Sequence, residues 1–253
     1  MTPRRHLLTA AAVWVVLSVL GVVLVAGVQI IPVIASREAE IENGAFVLLT
    51  AASVPILMLV VVGLAYTAIR FRATDDIGDG PPIHGHVGVQ AAWVGISLLL
   101  VIGLFAYGAI GLVDIRGAQS ADFEVNVSAE QWEWKFEYPA TGVKSKELHI
   151  PVDRRVHLNI ESIDVIHSFW VPALGVKQDA VPGRPTHIFT TATDVGTYPG
   201  MCAELCGLGH TGMTMTVVVS DQAALDSWLS QQPKGPPGPP GSPGPHGSPG
   251  PTP

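Results

Sequence analysis

Cysteine and charged residues are both scarce in this sequence of 253 residues. Its 2 cysteines lie in one short stretch, so a disulfide between them would close too small a loop to stabilise the fold much. Charged residues make up 14% of the chain and hydrophobic residues 48%, which excludes one ordinary soluble domain. The formal net charge is −7, and the pattern C-x-x-C-H is absent. We therefore expect no nucleic-acid partner and no covalently attached haem c.

Three apolar runs without a charged side chain fill the first half of the chain: residues 7–36, 44–69 and 91–113. Each is longer than the ~20 residues that a helix needs to cross a bilayer. We predict transmembrane helices at 44–72 and 91–115. The first segment, residues 1–36, is either a third transmembrane helix or a cleaved signal peptide, because its basic start fits both.

Charge at the ends of these runs predicts how the chain crosses the membrane. Four arginines precede the first run or follow the second: Arg4, Arg5, Arg70 and Arg72. The loop expected between the first two runs, residues 37–43, has one arginine and three glutamates. The positive-inside rule therefore places the loop 73–90 in the cytoplasm and the C-terminal domain outside it.

From residue 121 to 232 the pattern changes to short segments in which apolar and polar residues alternate, as at Phe123, Val125 and Val127. Breaks containing proline or glycine separate the segments: 139–142, 172–175, 182–185 and 196–200. This spacing predicts an antiparallel β-sandwich closed by a short helix at 221–229, with His167 in a loop between strands. Residues 233–253 repeat glycine and proline, and we predict an extended, disordered tail there.

Four side chains that bind soft metals stand in one irregular stretch: Cys202, Cys206, His210 and Met213. A second imidazole, His167, lies upstream. Thiolate, imidazole and thioether ligands together select copper over magnesium, calcium or manganese. The complete set is too large for one tetrahedral ion, and it suits two copper ions that share both sulfurs.

Three other interpretations use only part of this set. A disulfide leaves His210 and Met213 without a role. A structural zinc site takes two cysteines and two histidines, but it has no use for a thioether and normally has a longer gap between its ligand pairs. A mononuclear blue copper site needs one cysteine. The copper pair accounts for every candidate ligand.

Two motifs carry a resemblance to a known family: D-V-x-H-S-F at 164–169 and C-x-E-x-C-G-x-x-H-x-x-M at 202–213. With the apolar helices before them, they make the chain resemble subunit II of bacterial cytochrome c oxidases of the haem–copper superfamily. The resemblance covers residues 44 to about 229. It implies a membrane-anchored all-β fold class. Two transmembrane helices, plus a third or a signal peptide, would precede a cupredoxin-like Greek-key β-sandwich.

The resemblance also implies a dinuclear copper centre, the CuA of the family. It assigns six residues to this centre: His167, Cys202, Glu204, Cys206, His210 and Met213. The cysteines would bridge the ions, each histidine would bind one ion, and the methionine and the glutamate carbonyl would each complete one. The carboxylate of Glu204 would bind a Mg²⁺ or Mn²⁺ ion shared with subunit I.

The stretch QWEWKFEYP is similar to an aromatic stretch of the family, whose first tryptophan, here Trp132, accepts electrons from cytochrome c. Spacing by two residues fits Trp132 equally well as sandwich core. Four acids would steer a basic donor to it: Glu133, Glu137, Asp164 and Asp179. Electrons would then pass to haem in subunit I, in the bacterial plasma membrane, where oxygen is reduced to water with proton translocation.

One position departs from the family pattern. Gln90 stands where the family commonly has a glutamate at a proton channel, and His84 and His86 lie nearby.

Two related families match this sequence less well, since a quinol oxidase subunit II lacks the copper ligands and nitrous oxide reductase needs a large catalytic domain. The alternative functions are a CuA protein of another reductase or a membrane-anchored copper carrier, and a carrier needs exposed, exchangeable ligands.

Overall fold

The computed structural model describes residues 3–28, 33–72, 85–117 and 120–234. The predictions for residues 73–84, His84 among them, and for the tail from residue 235 lie outside this part of the chain. The helices have these bounds: α1 Pro3–Gly27, α2 Arg37–Arg70, α3 Val87–Arg116 and α4 Gln222–Gln231. One compact unit contains α1 and most of α2 and α3. A second contains the start of α2 and the described residues after 113.

Three of the helices, α1, α2 and α3, are long and apolar enough to cross a membrane. Their candidate spans contain 24, 34 and 30 residues, which exceeds the ~20 required. The prediction of apolar helices ahead of the β-domain is therefore confirmed. Within this unit α1 packs on α2, because Trp14 Nε1 donates a hydrogen bond to the carbonyl of Pro55 at 2.8 Å and Gly21 leaves room for Val54.

The charged stretch 37–43 is helical, although a loop was expected there. Ser36 caps α2, since its Oγ accepts a hydrogen bond from the backbone N–H of Ala39 at 3.0 Å. Glu38 and Glu40 in the first turn interact favourably with the helix dipole. Helix-capping signals thus outweigh the high charge of this stretch.

His86 and Gln90, which lie in the region where the family has its proton-channel glutamate, stand at the start of α3. His86 precedes the helix, and its Nδ1 accepts a hydrogen bond from the backbone N–H of Val89 at 3.3 Å. Gln90 is exposed in the first turn. His86 is therefore a capping residue of α3 in this structure.

The described chain after α3 forms ten strands with these bounds: β1 Phe123–Glu130, β2 Glu133–Tyr138, β3 Val143–Ser145, β4 Leu148–Pro151, β5 Arg155–Ser162, β6 His167–Val171, β7 Val176–Ala180, β8 Thr186–Thr191, β9 Gly196–Cys202 and β10 Thr214–Ser220. They make two sheets, with strand orders β3-β2-β1-β5-β8 and β4-β10-β9-β6-β7. The inward residues of both sheets form one apolar core, and Val127, Leu158 and Phe169 in it are fully buried. The predicted fold class, apolar helices followed by a cupredoxin-like Greek-key sandwich, is confirmed.

The prediction that all strands are antiparallel is wrong, because both sheets are mixed. β1 runs parallel to β5 in one sheet, and β4 runs parallel to β10 in the other. Alternation along a strand reports that one face is buried. It does not report the direction of the neighbouring strand, which depends on the path of the chain between them.

Two local predictions are also wrong. His167 is the first residue of β6, and residues 196–200 belong to β9 although they were expected to form a break. Glycine and proline favour breaks, but β9 pairs with β10 through six residue pairs, Pro199 among them. Pairing on the sheet therefore overrides the local preference.

The C-terminal helix α4 closes the sandwich where a helix was predicted. Asp221 caps it by accepting a hydrogen bond from the backbone N–H of Ala224 at 2.8 Å. Its Trp228 ring stacks on His149, with ring centroids 3.7 Å apart, and meets the edge of Tyr138. The helix thereby covers the end of the core that β2 and β4 leave open.

A buried ion pair ties the start of α2 to the sandwich. Glu38 is only 3% exposed, and its Oε2 accepts a hydrogen bond from the backbone N–H of Thr191 at 2.9 Å. Its Oε1 lies 3.8 Å from the guanidinium of Arg155. Arg155 also donates to the carbonyl of Ile115 at 3.1 Å. One pair of opposite charges therefore connects the first turn of α2, the last turn of α3 and strands β5 and β8.

Replacing Glu38 by alanine should destabilise the protein by about 1–3 kcal/mol, since the N–H of Thr191 and the charge of Arg155 lose a buried partner. Chemical unfolding of the purified chain in detergent measures this change. Glu40→Ala is the matched control, because Glu40 lies in the same turn but is exposed. Equal losses in the two variants would contradict a role for the buried pair.

Candidate metal centre

The candidate ligands meet where strand β9 ends and strands β6 and β10 begin. Cys202 is the last residue of β9 and Met213 directly precedes β10, and the N–H of Cys202 donates to the carbonyl of Met213 at 2.9 Å. This bond closes the stretch between them into a compact loop. β6 lies beside β9 and pairs Phe169 with Cys202, which brings His167 to the cysteines.

The donor atoms of the loop and of His167 point to one place. The Sγ atoms of Cys202 and Cys206 are 3.9 Å apart. His167 Nδ1 lies 3.9 Å from Cys202 Sγ, and His210 Nδ1 lies 3.6 Å from Cys206 Sγ. Ligand atoms of His167 and both cysteines lie within 4.8 Å of one another, a separation that a bound metal ion can span.

Two weaker donors complete the arrangement. The backbone carbonyl of Glu204 lies 3.2 Å from Cys202 Sγ. The thioether of Met213 lies 3.8 Å from Cys206 Sγ. Each sulfur therefore has one imidazole and one weaker donor beside it, and this near-symmetry matches a site for two ions better than a site for one.

Both cysteines are free and buried. Burial and the neighbouring Cys202 raise the pKa of the Cys206 thiol to about 11. A thiol with so high a pKa becomes a thiolate at neutral pH only when a cation lies close to it. The residues present thus fit a soft metal cation, and they do not favour the disulfide alternative.

The loop 202–213, called the metal loop below, lies against Trp132 and Gln131 at the turn between β1 and β2. Trp132 Nε1 donates to the carbonyl of Cys206 at 3.3 Å, and Gln131 Nε2 donates to the same oxygen at 2.6 Å. A Cβ at Gly209 would overlap the indole ring, so glycine there lets the ring lie on the loop. Trp132 is 43% exposed, and Trp134 is the buried core residue of this stretch.

Asp164 contacts His167, the candidate ligand that lies outside the metal loop. Its Oδ1 lies 2.9 Å from His167 Nε2, and its Oδ2 accepts the N–H of Gln131 at 2.7 Å. Partial burial opposes ionisation of this carboxyl. The hydrogen bonds from His167 and from the N–H groups of Gln131 and Val165 outweigh burial and lower its pKa to about 2. Asp164 is therefore an ionised partner of His167.

The other acids of the expected docking patch have partners of their own. Glu133 forms ion pairs with Lys146 and Lys135, and Glu137 lies 3.4 Å from Lys144. Asp179 accepts a hydrogen bond from Ser168 at 2.8 Å, on the outer face of the opposite sheet. The structure thus places Glu133 and Glu137 together on β2 and Asp179 elsewhere. The side chain of Glu204 is exposed.

Sequence reasoning missed Gln131 and the two glycines of the loop, Gly207 and Gly209. Gln131 has no metal-binding atom of the soft type, so ligand chemistry does not select it. Its position directly before Trp132, and the spacing of the glycines around the second cysteine, were the available indications.

Residues 141–221 match the family model described as cytochrome c oxidase subunit II, periplasmic domain. A cytochrome c oxidase subunit 2 from Synechocystis sp. is 32% identical over 255 aligned residues, which cover 82% of this chain and 77% of the relative. The chain belongs to the cytochrome c oxidase subunit II family. A subunit 2 from Thermostichus vulcanus is also 32% identical, covering 80% of this chain and 78% of the relative.

Membership of the subunit II family makes the chain part of an oxidoreductase, as the resemblance implied. Among solved structures, the periplasmic domain of subunit II from Bradyrhizobium japonicum is 29% identical, with a TM-score of 0.44, over 46% of this chain and 96% of that one. The match of residues 141–221 to the family model of the periplasmic domain, together with the three long apolar helices that precede it, identifies a membrane-anchored protein with an extracytoplasmic C-terminal domain.

Replacing Gly209 by alanine should displace the indole of Trp132, because the added methyl group overlaps the ring. Overpacking of this kind costs about 1–3 kcal/mol, and the displaced ring should become more accessible to a fluorescence quencher. Gly212→Ala is the matched control in the same loop, where an added Cβ has no atom within 4 Å. Similar quenching and stability in both variants would contradict the packing of Trp132 on Gly209.

Proposed function

We propose that this chain holds a dinuclear copper centre, CuA, and acts as the electron-accepting subunit of a respiratory cytochrome c oxidase. The observation that carries the proposal is the convergence of two buried sulfurs with two imidazoles and a thioether. Cys202 and Cys206 would bridge the ions. His167 and His210 would each bind one ion, Met213 would bind one of the two, and the carbonyl of Glu204 would bind the other.

Copper accounts for this donor set better than zinc does. A structural zinc ion takes four ligands in a tetrahedron and does not use thioether sulfur. Here Met213 is fully buried, and its sulfur lies 3.8 Å from Cys206 Sγ and so belongs to the cluster. The buried thioether is thus the donor that distinguishes copper from zinc at this site.

When bound, the copper pair takes up and releases one electron at a time. The protein contributes a rigid frame, because the ligands stand at the ends of paired strands or in a loop closed by the β9–β10 pair. His167 and Met213 are fully buried, which keeps water from these two donors. Ligands held this firmly rearrange little when the charge of the centre changes. The same enclosure argues against a copper carrier, whose ligands must be exchangeable.

We propose Trp132 as the point where electrons reach this centre. Its ring combines an exposed edge with a hydrogen bond to the carbonyl of Cys206, a proposed ligand. The surface around it is apolar, since Leu208 in the neighbouring loop is fully exposed and Ile163 is 62% exposed. The N–H of Ile163 bonds the carbonyl of Ala129 at 3.1 Å, so this residue lies close to the same turn.

Cytochrome c is the proposed donor, and its docking combines apolar contact at Trp132 with a weaker electrostatic contribution. The acids that would steer it are Glu133, Glu137, Asp164 and Asp179. Lysines beside Glu133 and Glu137 offset part of their negative charge. Exposed pairs of this kind contribute little and are screened by salt.

Electrons would pass from the copper pair to haem in subunit I, within the bacterial plasma membrane. Oxygen would be reduced to water there, coupled to proton translocation. The exposed carboxylate of Glu204 would bind a Mg²⁺ or Mn²⁺ ion shared with that subunit. Hard carboxylate oxygen suits these cations, whereas the carbonyl of the same residue faces Cys202.

The purified chain loaded with copper should bind two ions and give an electron paramagnetic resonance spectrum of one electron shared by two copper nuclei. Cys202→Ser or Cys206→Ser should abolish the pair, because one thiolate cannot replace a double bridge. Met213→Leu should keep both ions and shift the reduction potential, since a thioether is a weak ligand. Met201→Leu is the control, because Met201 is exposed. A four-line signal from one copper, or stoichiometric zinc after growth with ample copper, would contradict the proposal.

Trp132→Ala should slow electron transfer from bound, reduced cytochrome c about tenfold or more, equivalent to at least ~1.4 kcal/mol of barrier. The reason is that the exposed ring and its hydrogen bond to Cys206 are both lost. Stopped-flow reduction at saturating donor separates this rate from docking. Trp170→Ala is the matched control, since Trp170 is 36% exposed on β6 and Trp132 is 43% exposed. Equal slowing in the control would assign the effect to general disturbance of the domain.

A further inference from the structure

Gln131 contacts both parts of the chain that carry the proposed ligands. Its side-chain Nε2 donates to the carbonyl of Cys206 at 2.6 Å. Its backbone N–H donates to Oδ2 of Asp164 at 2.7 Å, and Oδ1 of Asp164 lies 2.9 Å from His167 Nε2. One continuous chain of hydrogen bonds therefore joins Cys206 to His167 through Gln131.

We propose that Gln131 is a positioning residue of the metal centre, which holds Cys206 with its side chain and His167 through Asp164. The inference rests on the proposed copper centre and adds a residue that itself binds no metal. Cys206 lies beside His210, whereas His167 lies beside Cys202. The connection thus spans the two halves of the donor set and fixes their separation.

The backbone around Cys206 is shaped for this contact. Gly207 has a φ of +117°, a conformation that favours glycine. A Cβ at this position would lie 3.0 Å from Gln131 Nε2 and crowd the amide. A carbonyl oxygen accepts two hydrogen bonds, and Trp132 Nε1 supplies the second at 3.3 Å. The shorter bond comes from Gln131, which is therefore the closer restraint on the carbonyl.

The second part of this chain of hydrogen bonds runs from the N–H of Gln131 through Asp164 and acts on the imidazole of His167. His167 directs Nδ1 towards Cys202 Sγ, and its Nε2 faces Asp164. A carboxylate at the remote nitrogen of a ligating histidine fixes its tautomer and the orientation of its ring. The side chain of Asp164 is 29% exposed, so it needs restraints of its own. The N–H groups of Gln131 and Val165 provide them, at 2.7 and 2.6 Å.

Gln131 can be replaced without leaving a hole in the core, because the residue is exposed and only its amide reaches into the loop. A change in the metal centre of such a variant therefore reports the hydrogen bond and not lost packing. Gln222 supplies a matched control. It is also an exposed glutamine whose amide bonds other side chains, those of Arg154 and Asp226, and it lies on α4.

Gln131→Leu should fold with the same melting temperature as Gln222→Leu but bind copper about tenfold or more weakly in competition with a chelator. Outer partners of metal ligands typically contribute 10–100-fold in affinity. Its electron paramagnetic resonance spectrum should show unequal coupling to the two copper nuclei. In the metal-free chain, iodoacetamide should modify Cys206 faster than in the control. Gln131→Glu keeps the shape but lacks the donor, and it should reproduce these changes.

Asp164→Ala removes the contact between Gln131 and His167 and should weaken copper binding to a similar degree. The double variant should lose less than the sum of the single losses, because residues in one hydrogen-bonded chain do not act independently. A wild-type chain without a copper pair would overturn the proposed function itself. A normal pair in the wild type, with Gln131→Leu and Gln222→Leu alike in affinity and spectrum, would overturn the role of Gln131 alone. If the losses of affinity in Gln131→Leu and Asp164→Ala were additive, Cys206 and His167 would not be joined by one hydrogen-bonded chain.

Discussion

The metal centre depends first on the pairing of β9 with β10. The bond from the N–H of Cys202 to the carbonyl of Met213 closes the intervening stretch at its base. Residues that are merely near one another in sequence are then held at contact distance. The pairing is stable because Val217 and Val219 on β10 are buried in the sandwich core. The apolar core and the ligand geometry are therefore supported by the same two strands.

Closing this loop also brings two buried sulfurs close together, where a charge on them is unfavourable without a nearby cation. Two sulfurs lie 3.9 Å apart in a buried position, and burial raises the pKa of Cys206. The Cys206 sulfur is therefore not easily charged without a counter-charge. A soft cation between them, as proposed, would make this arrangement favourable.

The turn between β1 and β2 contacts the candidate metal centre through two adjacent residues. The amide of Gln131 points into the metal loop, whereas the ring of Trp132 covers the same loop and keeps an exposed edge. Both bond the carbonyl of Cys206. The proposed donor contact at Trp132 and the proposed restraint of the ligands by Gln131 would therefore act on the same peptide group. This shared point favours a short path from the protein surface to the centre.

Much of the architecture follows from local properties of the sequence. Long uncharged runs predicted the apolar helices, because the length of such a run decides whether it can cross a bilayer. Alternation predicted the sandwich core, with Val125 and Val127 buried as expected. The identities of the candidate metal donors were equally readable, since the chemistry of sulfur and imidazole belongs to each residue alone.

Other features depend on residues that are distant in sequence, and only the tertiary structure decided them. The parallel pairing of β1 with β5 depends on the route of the intervening chain, and the burial of Glu38 depends on Arg155. The assignment of residues 196–200 to β9 required the neighbouring strand β10. The contact of Gln131 with Cys206 and Asp164 joins three separate segments. No local pattern encodes such a contact, because its energy exists only after the sandwich has brought those segments together.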